Sequence, residues 1–133
     1  MKQEDKELLL QDLCARLPYK IRCSYYDICL SAHCNGEIYG IENKEYVIVD
    51  GKCIAIEFIK PYLFPLSSMT EEQGKEFDQL LELELKAIND EIDPIQATIF
   101  EVDFYNKHHL DWRGLIPKGL AIDATGLNIY KEE

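Results

Sequence analysis

An Asp-Gly pair at positions 50 and 51 separates two β-rich runs in the stretch EYVIVDGKCIAIEF, residues 45–58. A two-residue hairpin turn needs positive φ at both central residues, which Asp and Gly tolerate. The turn sets the register, so Tyr46 faces Ala55 and Val49 faces Lys52. One face of the hairpin then collects the apolar side chains of Val47, Val49, Ile54, Ile56 and Phe58. The other face is half polar, which predicts an antiparallel sheet or a small barrel with one solvated side.

Other short strands are predicted before this hairpin. Residues 20–26 alternate with high β propensity, and Asn35-Gly36 predicts a second two-residue turn. That turn would place five side chains on one face of the second hairpin: Ile28, Leu30, Ala32, Tyr39 and Ile41. With a further turn at Asn43-Lys44, about five short strands follow one another, which favours an SH3-like barrel. The alternative is an open antiparallel sheet covered by helices.

Helical patterns flank the β-rich part. Residues 4–16 predict a helix that Pro18 ends. Residues 60–68 contain two prolines and predict a rigid, extended connector that packs on the sheet. Thr70 and Gln73 fit a capping box, as do Ser68 and Glu71, and a helix of about 20 residues follows. Its apolar stripe is expected to lie in the core: Phe77, Leu81, Leu85, Ile88 and Ile92.

The last part of the chain is predicted less simply. Asp93-Pro94 fits a helix start, with Asp93 as the N-cap and Pro94 at the first helical position. A helix is expected over residues 100–108, whereas residues 95–100 fit either a strand or a helix. The remainder, with glycines at 114, 119 and 126, should form an ordered, non-repetitive cover over the core.

Length and composition predict one α+β domain of 133 residues, with a helix in 1–18, a barrel or sheet in 19–66, and helices plus a tail in 68–133. No apolar run of 18 residues and no secretory signal pattern occur, so a cytoplasmic protein without a membrane association is expected. Five irregularly spaced cysteines predict reduced, mostly buried thiols. No cofactor or metal is predicted, because alternation sends His33 and Cys34 to opposite faces of their strand.

The acidic charge of the chain is unevenly distributed. The net charge is −11, and residues 71–93 carry nine acids and two lysines, a net −7. Direct nucleic-acid binding is not expected, because phosphate contacts need clustered Lys and Arg. The acidic helix face, with Glu76, Glu82 and Glu84, is a candidate partner-binding surface, although an ordinary solvated face explains the same pattern.

One group of residues could carry chemistry. His108, His109, Asp111 and Arg113 lie within six residues, and a His with a carboxylate can act as a general base while Arg holds an anion. However, adjacent helical residues point about 100° apart, so the two imidazoles would not share one target. A structural role near a helix C-terminus, with Arg113 pairing with Asp111 or capping carbonyls, is the favoured interpretation.

Three segments also carry a resemblance: KELLLQDLCARLPY, KPYLFPLSSMTEEQ and YNKHHLDWRGLIPKGLAIDATGLNIY. Together they resemble a family of small uncharacterised proteins of Bacteroides-type gut bacteria, their prophages and mobile elements. The resemblance covers most of the chain outside residues 20–57. It implies a cytoplasmic, phage-type accessory protein and no particular chemistry.

These observations favour a non-enzymatic protein-interaction module with a protein partner and an undetermined oligomeric state. An apolar patch of Tyr46, Ile48 and Trp112 is a further candidate contact surface. One alternative is an acidic inhibitor or decoy of a host nucleic-acid-binding protein. The other is a small enzyme that uses His108, His109 and Asp111.

Overall fold

The computed structural model describes residues 1–89 and 93–130 of the chain and shows an α+β architecture of three helices and one mixed sheet. The helices are α1 (Gln3–Arg16), α2 (Glu71–Ile88) and α3 (Pro94–Lys107). The strands are β1 (Ile21–Asp27), β2 (Ala32–Glu42), β3 (Tyr46–Val49), β4 (Lys52–Ala55), β5 (Ile59–Leu63) and β6 (Ile122–Asp123). The sheet order is β4-β3-β2-β1-β5-β6, antiparallel except for the parallel pair β5 and β6.

The predicted β3–β4 hairpin is confirmed residue by residue. Tyr46 pairs with Ala55 and Val49 with Lys52, and the two turn residues have positive φ, 50° at Asp50 and 81° at Gly51. The loop between β2 and β3 also lies where predicted, with positive φ at Asn43 and Lys44. Short-range turn chemistry therefore determines this half of the sheet.

The turn predicted at Asn35-Gly36 is wrong, because β2 runs straight through it. The β1–β2 turn instead lies at residues 28–31, where the carboxylate of Asp27 accepts hydrogen bonds from the backbone N–H groups of Cys29 and Leu30. The shared face predicted from a turn at Asn35-Gly36 therefore does not form. Ile28, Leu30 and Tyr39 are all exposed.

Gly36 occupies the middle of β2 for a packing reason. A Cβ atom there would lie 2.6 Å from both Val49 Cγ1 and Asp50 Oδ2, and 3.1 Å from Tyr25 Cε1. A glycine in a strand interior often marks such a close approach rather than a turn. Asn35 beside it accepts a 2.6 Å hydrogen bond from the Tyr62 hydroxyl.

The sheet is open, which matches the alternative to the barrel. Its edges are β4 and β6, and the SH3-like closure and the count of five strands are not confirmed. Residues 60–63 are part of β5 rather than a connector, paired with both β1 and β6. Packing was correctly predicted there, since Tyr62 and Leu63 are buried.

One face of the sheet forms the core beneath α1 and the C-terminal segment. Leu9 and Leu13 of α1 pack on this face, and Leu115, Leu120 and Ala121 cover it from the tail. The tail is therefore the ordered cover that was expected, with β6 as its one short strand. Burying each of these four leucine side chains supplies roughly 1.5–3 kcal/mol.

The helix starts follow the predicted capping chemistry. Thr70 and Gln73 form a reciprocal capping box, with hydrogen bonds of 3.0 and 3.2 Å, at the start of α2. Asp93 caps α3 by accepting a hydrogen bond from the Ile95 N–H, and the helix continues through residues 95–100. The Ser68 hydroxyl donates to the Pro65 carbonyl, so Ser68 serves a turn before α2.

Two expectations about burial are wrong. Leu81, Leu85 and Ile88 of α2 are exposed, whereas Phe77, nearer the start of the same stripe, is half-buried against α3; Ile92 of the stripe lies outside the described residues. The cysteines are also mostly accessible. Cys14, Cys29 and Cys53 are exposed, and burial on the inner face of β1 raises the pKa of Cys23 to about 12.

Candidate functional site

The helices α2 and α3 form an antiparallel helix pair, held together by aromatic side chains near its base. The Phe77 ring lies 5.7 Å from the Phe104 ring and 6.1 Å from the Tyr105 ring, between centroids. Tyr105 stacks in turn on Trp112, at 6.2 Å. Phe77 thus packs the first half of α2 against the last turns of α3.

The opposite end of the helix pair exposes apolar side chains. Leu85 is 60% exposed, Ile88 76% and Ile95 70%. The whole group, called here the apolar strip, comprises Leu81, Leu85 and Ile88 of α2 and Ile95 and Ile99 of α3. Single exposed apolar residues are ordinary, whereas clustered ones mark interaction sites.

Two carboxyl groups meet between the helices. Glu84 of α2 hydrogen-bonds to Glu101 of α3, and that contact together with partial burial raises the pKa of Glu84. The Tyr105 hydroxyl donates a 2.9 Å hydrogen bond to Glu101, while burial and the Glu101 carboxylate raise the pKa of Tyr105 to about 12. Two acidic side chains, Glu84 and Glu101, therefore lie against each other between the helices, and the Tyr105 hydroxyl stabilises one of them.

An ion-pair group closes the base of the helix pair. The Glu76 carboxylate lies 2.9 Å from His108 Nε2 and 3.5 Å from Lys107 Nζ. Partial burial raises the pKa of Glu76, but the hydrogen bond and charge of His108, aided by Lys107, lower it overall. His108 and Glu76 thereby join the C-terminus of α3 to α2.

His109 faces a different environment from His108. Its ring stacks on Tyr130 with centroids 3.7 Å apart and planes 10° apart. Burial, followed by the positive charges of Arg16 and His108, lowers the pKa of His109 to about 4. The Tyr130 hydroxyl donates to the Tyr62 carbonyl at 2.8 Å and accepts from the Arg22 N–H at 2.9 Å. This stack therefore attaches the tail to the sheet.

Arg113 and Asp111 also have separate partners. Arg113 Nε lies 3.3 Å from Asp12 Oδ1, and its guanidinium stacks over the Trp112 ring at 4.2 Å. The two Asp111 oxygens accept hydrogen bonds from the N–H groups of Leu115 and Ile116, at 2.8 and 2.9 Å. Arg113 thus pairs with Asp12 rather than Asp111, and the carbonyl of Leu110 is bound by Arg16 instead.

The sequence-based candidates therefore separate in space according to their partners. His108 contacts Glu76, His109 contacts Tyr130, and Asp111 holds the backbone. These contacts fit structural roles for the residues around the end of α3.

Of the proposed contact patch, Tyr46 is exposed and Ile48 half-buried on β3, whereas Trp112 packs against Tyr105 and donates to Asn106. Among the acidic candidates, Glu82 is exposed, while Glu76 and Glu84 have partners within the helix pair.

The outer face of the sheet contains a shallow depression of about 430 Å³. The Tyr26 ring lies between His33 and Phe58, at 5.2 and 6.1 Å between centroids. Ser24, Glu57, Lys60 and Ile122 complete the lining. Its volume would suit a small molecule, but the two opposite charges on its rim, Glu57 and Lys60, select no single ligand class.

The residues of the apolar strip were misassigned from the sequence to the core or to an undecided segment. A signal was present in α3, where Ile95 and Ile99 lie on one side and Ala97, Phe100 and Phe104 on the other. Apolar residues on two sides of a helix indicate two neighbours. The described residues provide α2 as the neighbour on one of those sides.

The described residues contain no group of three or more His, Cys, Asp or Glu side chains placed to hold a metal ion. Within the same residues, no helix has the length and apolar character needed to cross a membrane. The class of protein that these features define is an α+β protein with an open sheet and a partly unpacked helix pair. Comparison with protein-family models, curated proteins and solved structures gives no match to the chain.

Proposed function

We propose that this protein is a non-enzymatic protein-interaction module whose contact surface is the apolar strip of α2 and α3. The observation that carries the proposal is the exposure of Leu81, Leu85 and Ile88, which follow one another at four and three residues on one side of α2. Each such side chain contributes roughly 1.5–3 kcal/mol when fully removed from water. Covering the strip would therefore stabilise a complex.

The strip is a better contact surface than the exposed apolar groups of the β1–β2 turn and the tail. The β1–β2 turn exposes Ile28 and Leu30, and Leu127 is exposed in the tail. Those side chains lie on irregular segments, whereas the strip lies on two regular helices. Regular elements present contact residues in a fixed geometry, which lowers the entropic cost of binding.

A cytoplasmic, phage-type accessory role is the setting that we propose for this module. The resemblance of the three segments quoted above supports it. A second candidate is an acidic decoy for a nucleic-acid-binding protein. The exposed acids of α2, Glu71, Glu72, Asp78 and Glu82, favour that candidate.

Site-specific photo-crosslinking tests the proposal. A photoreactive residue at position 85 should form an adduct with a specific protein in cells of the source organism, and the adduct should disappear when Leu81 and Ile88 are changed to serine. The matched control places the same residue at position 127, where the native leucine is also exposed. Equal adducts at both positions would reject the strip as the contact surface. A decoy would instead crosslink from Glu72 and lose its target in high salt.

A further inference from the structure

We infer that the partner surface is an amphipathic helix that carries Lys or Arg beside its apolar face, and that it lies along α2 as a third helix. This inference rests on the proposed function and names the chemistry of the partner. Three features of the helix pair support it: the spacing of the strip, the charge around it, and the carboxyl contact between the two helices.

The spacing of the strip fits a helical partner. Leu81 and Ile88 lie seven residues apart on α2 with Leu85 between them, which corresponds to about 10 Å along the helix axis. Anchors that recur at three and four residues are the pattern with which one helix packs along another. An extended peptide would instead need unpaired backbone N–H and C=O groups, which the interior of a helix does not offer.

The charge of the helix pair favours a cationic partner. Residues 71–89 and 93–107 carry nine carboxylates and three lysines, a net −6, whereas the other described residues together carry only −2. The apolar strip therefore lies in the most negative part of the protein. A partner with positive charge beside its apolar face would be attracted to this part and oriented on it.

The carboxyl contact provides a specific place for a cation. The carboxyl groups of Glu84 and Glu101 are in hydrogen-bonding contact across the helix pair, and the Tyr105 hydroxyl donates a hydrogen bond to Glu101. Glu84 lies three residues after Leu81 and four before Ile88, so it neighbours the strip on the surface of α2. A Lys or Arg of the partner could contact both carboxylates and remove their mutual repulsion.

The same charges disfavour a second copy as the occupant. Two helix pairs in contact would each bring a net −6 into one interface. Like charges placed against each other oppose association. We therefore assign the strip to a different, basic chain rather than to a homodimer.

Two synthetic peptides test the inference by titration against the full-length protein. Both are helical peptides of about 18 residues with the same leucine face; one has lysines beside that face and the other has glutamates. The lysine peptide should bind at least about tenfold more tightly than the glutamate peptide in low salt. Its binding should also release protons at a pH between the ordinary and the raised pKa of Glu84, as the raised pKa falls towards the ordinary value.

Two pairs of variants separate specific docking from general attraction. Leu85→Ser with Ile88→Ser should weaken lysine-peptide binding about tenfold or more, whereas Leu127→Ser should leave it unchanged. Asp78→Asn with Glu82→Gln should weaken it severalfold and reduce its salt dependence. Glu4→Gln with Glu57→Gln removes the same charge from exposed positions elsewhere and should have a smaller effect.

The outcomes distinguish failure of this inference from failure of the proposed function. Equal binding of both peptides through Leu85 and Ile88 would overturn the basic partner while leaving the strip a contact surface. Self-association of the unchanged protein that is lost in the Leu85 and Ile88 variant would also overturn the basic partner, because the strip would then bind a second copy of the chain. If the Leu85 and Ile88 substitutions leave the affinity for the lysine peptide unchanged, the peptide is attracted by net charge alone and the inference is overturned. Crosslinking from position 85 tests the proposed function independently.

Discussion

The guanidinium of Arg16, on α1, donates a 2.6 Å hydrogen bond to the backbone carbonyl of Leu110, 94 residues further along the chain. Arg16 is fully buried, as is Asp12, to which Arg16 Nε donates at 2.8 Å. Arg113 approaches the same carboxylate from the segment after α3. This buried group therefore fixes the base of the helix pair against the N-terminal helix.

Replacing Arg16 with Met should destabilise the protein by roughly 3–5 kcal/mol, because Asp12 would remain buried without its closest cation. Urea denaturation measures this change in the free energy of unfolding. Lys118→Met, at an exposed position, is the control and should stay within about 0.5 kcal/mol. A loss below about 1 kcal/mol for the Arg16 variant would show that the ion pair does not hold these elements together.

Two glycine-to-alanine substitutions should have opposite effects. Gly36→Ala would place a Cβ 2.6 Å from Val49 and Asp50 in the sheet and should cost about 1–3 kcal/mol. Gly74→Ala, where a Cβ would meet nothing within 4 Å on α2, should stabilise the helix by about 0.5–1 kcal/mol. Thermal denaturation of both variants tests the prediction. A neutral Gly36→Ala change would contradict the close approach in β2.

The pH dependence of stability should include a contribution from His109. Its pKa is about 4 in the folded protein and 6.5 in the unfolded reference, so the unfolded chain binds more protons between these values. Stability from this group is therefore present above pH 6.5 and is lost as the pH falls towards 4. His109→Asn tolerates the positive φ of 57° and removes the titration. The variant should show a shallower loss of unfolding free energy between pH 6.5 and 4; an unchanged slope would refute the assignment.

Glu84→Gln should stabilise the helix pair at neutral pH. The folded state raises the pKa of Glu84, so its favourable contribution is complete below the unfolded pKa of 4.5 and is lost as the pH rises through the folded value. A glutamine keeps the hydrogen-bonding capacity without the repulsion from Glu101. The melting temperature at pH 7 should therefore rise, and its dependence on pH between 4 and 7 should weaken. Glu82→Gln, at an exposed position of the same helix, should reproduce neither effect.

The sequence predicted those parts of the fold that depend on neighbouring residues. Asp50-Gly51 set the register of β3 and β4, and Asp93-Pro94 marked the start of α3. At Asn35-Gly36 the same reasoning failed, because the Asp27 side chain forms a turn earlier and Gly36 is needed where Val49 and Asp50 approach β2. Turn propensity describes only which backbone conformations a dipeptide tolerates. Packing across the sheet determined that Asn35-Gly36 lies within a strand.

The candidate site was harder to predict for a different reason. The period of Phe77, Leu81 and Leu85 identified a helix with an apolar side, but a period does not tell how many neighbours cover that side. The partners of the His108 group could not be predicted either. Glu76, Tyr130 and Asp12 lie far from it in sequence, and spacing within one segment contains no information about them.

Radical footprinting of the protein, both purified and in cells of the source organism, tests whether a partner covers the apolar strip. Hydroxyl radicals oxidise exposed side chains, and mass spectrometry locates the products. Leu81, Leu85 and Ile88 should be oxidised readily in the purified protein, where they are exposed, and several-fold less in cells, where a partner covers them. Leu127, exposed in the tail, is the internal reference and should react equally in both. Equal oxidation of the strip in both settings would show that no partner covers it in cells.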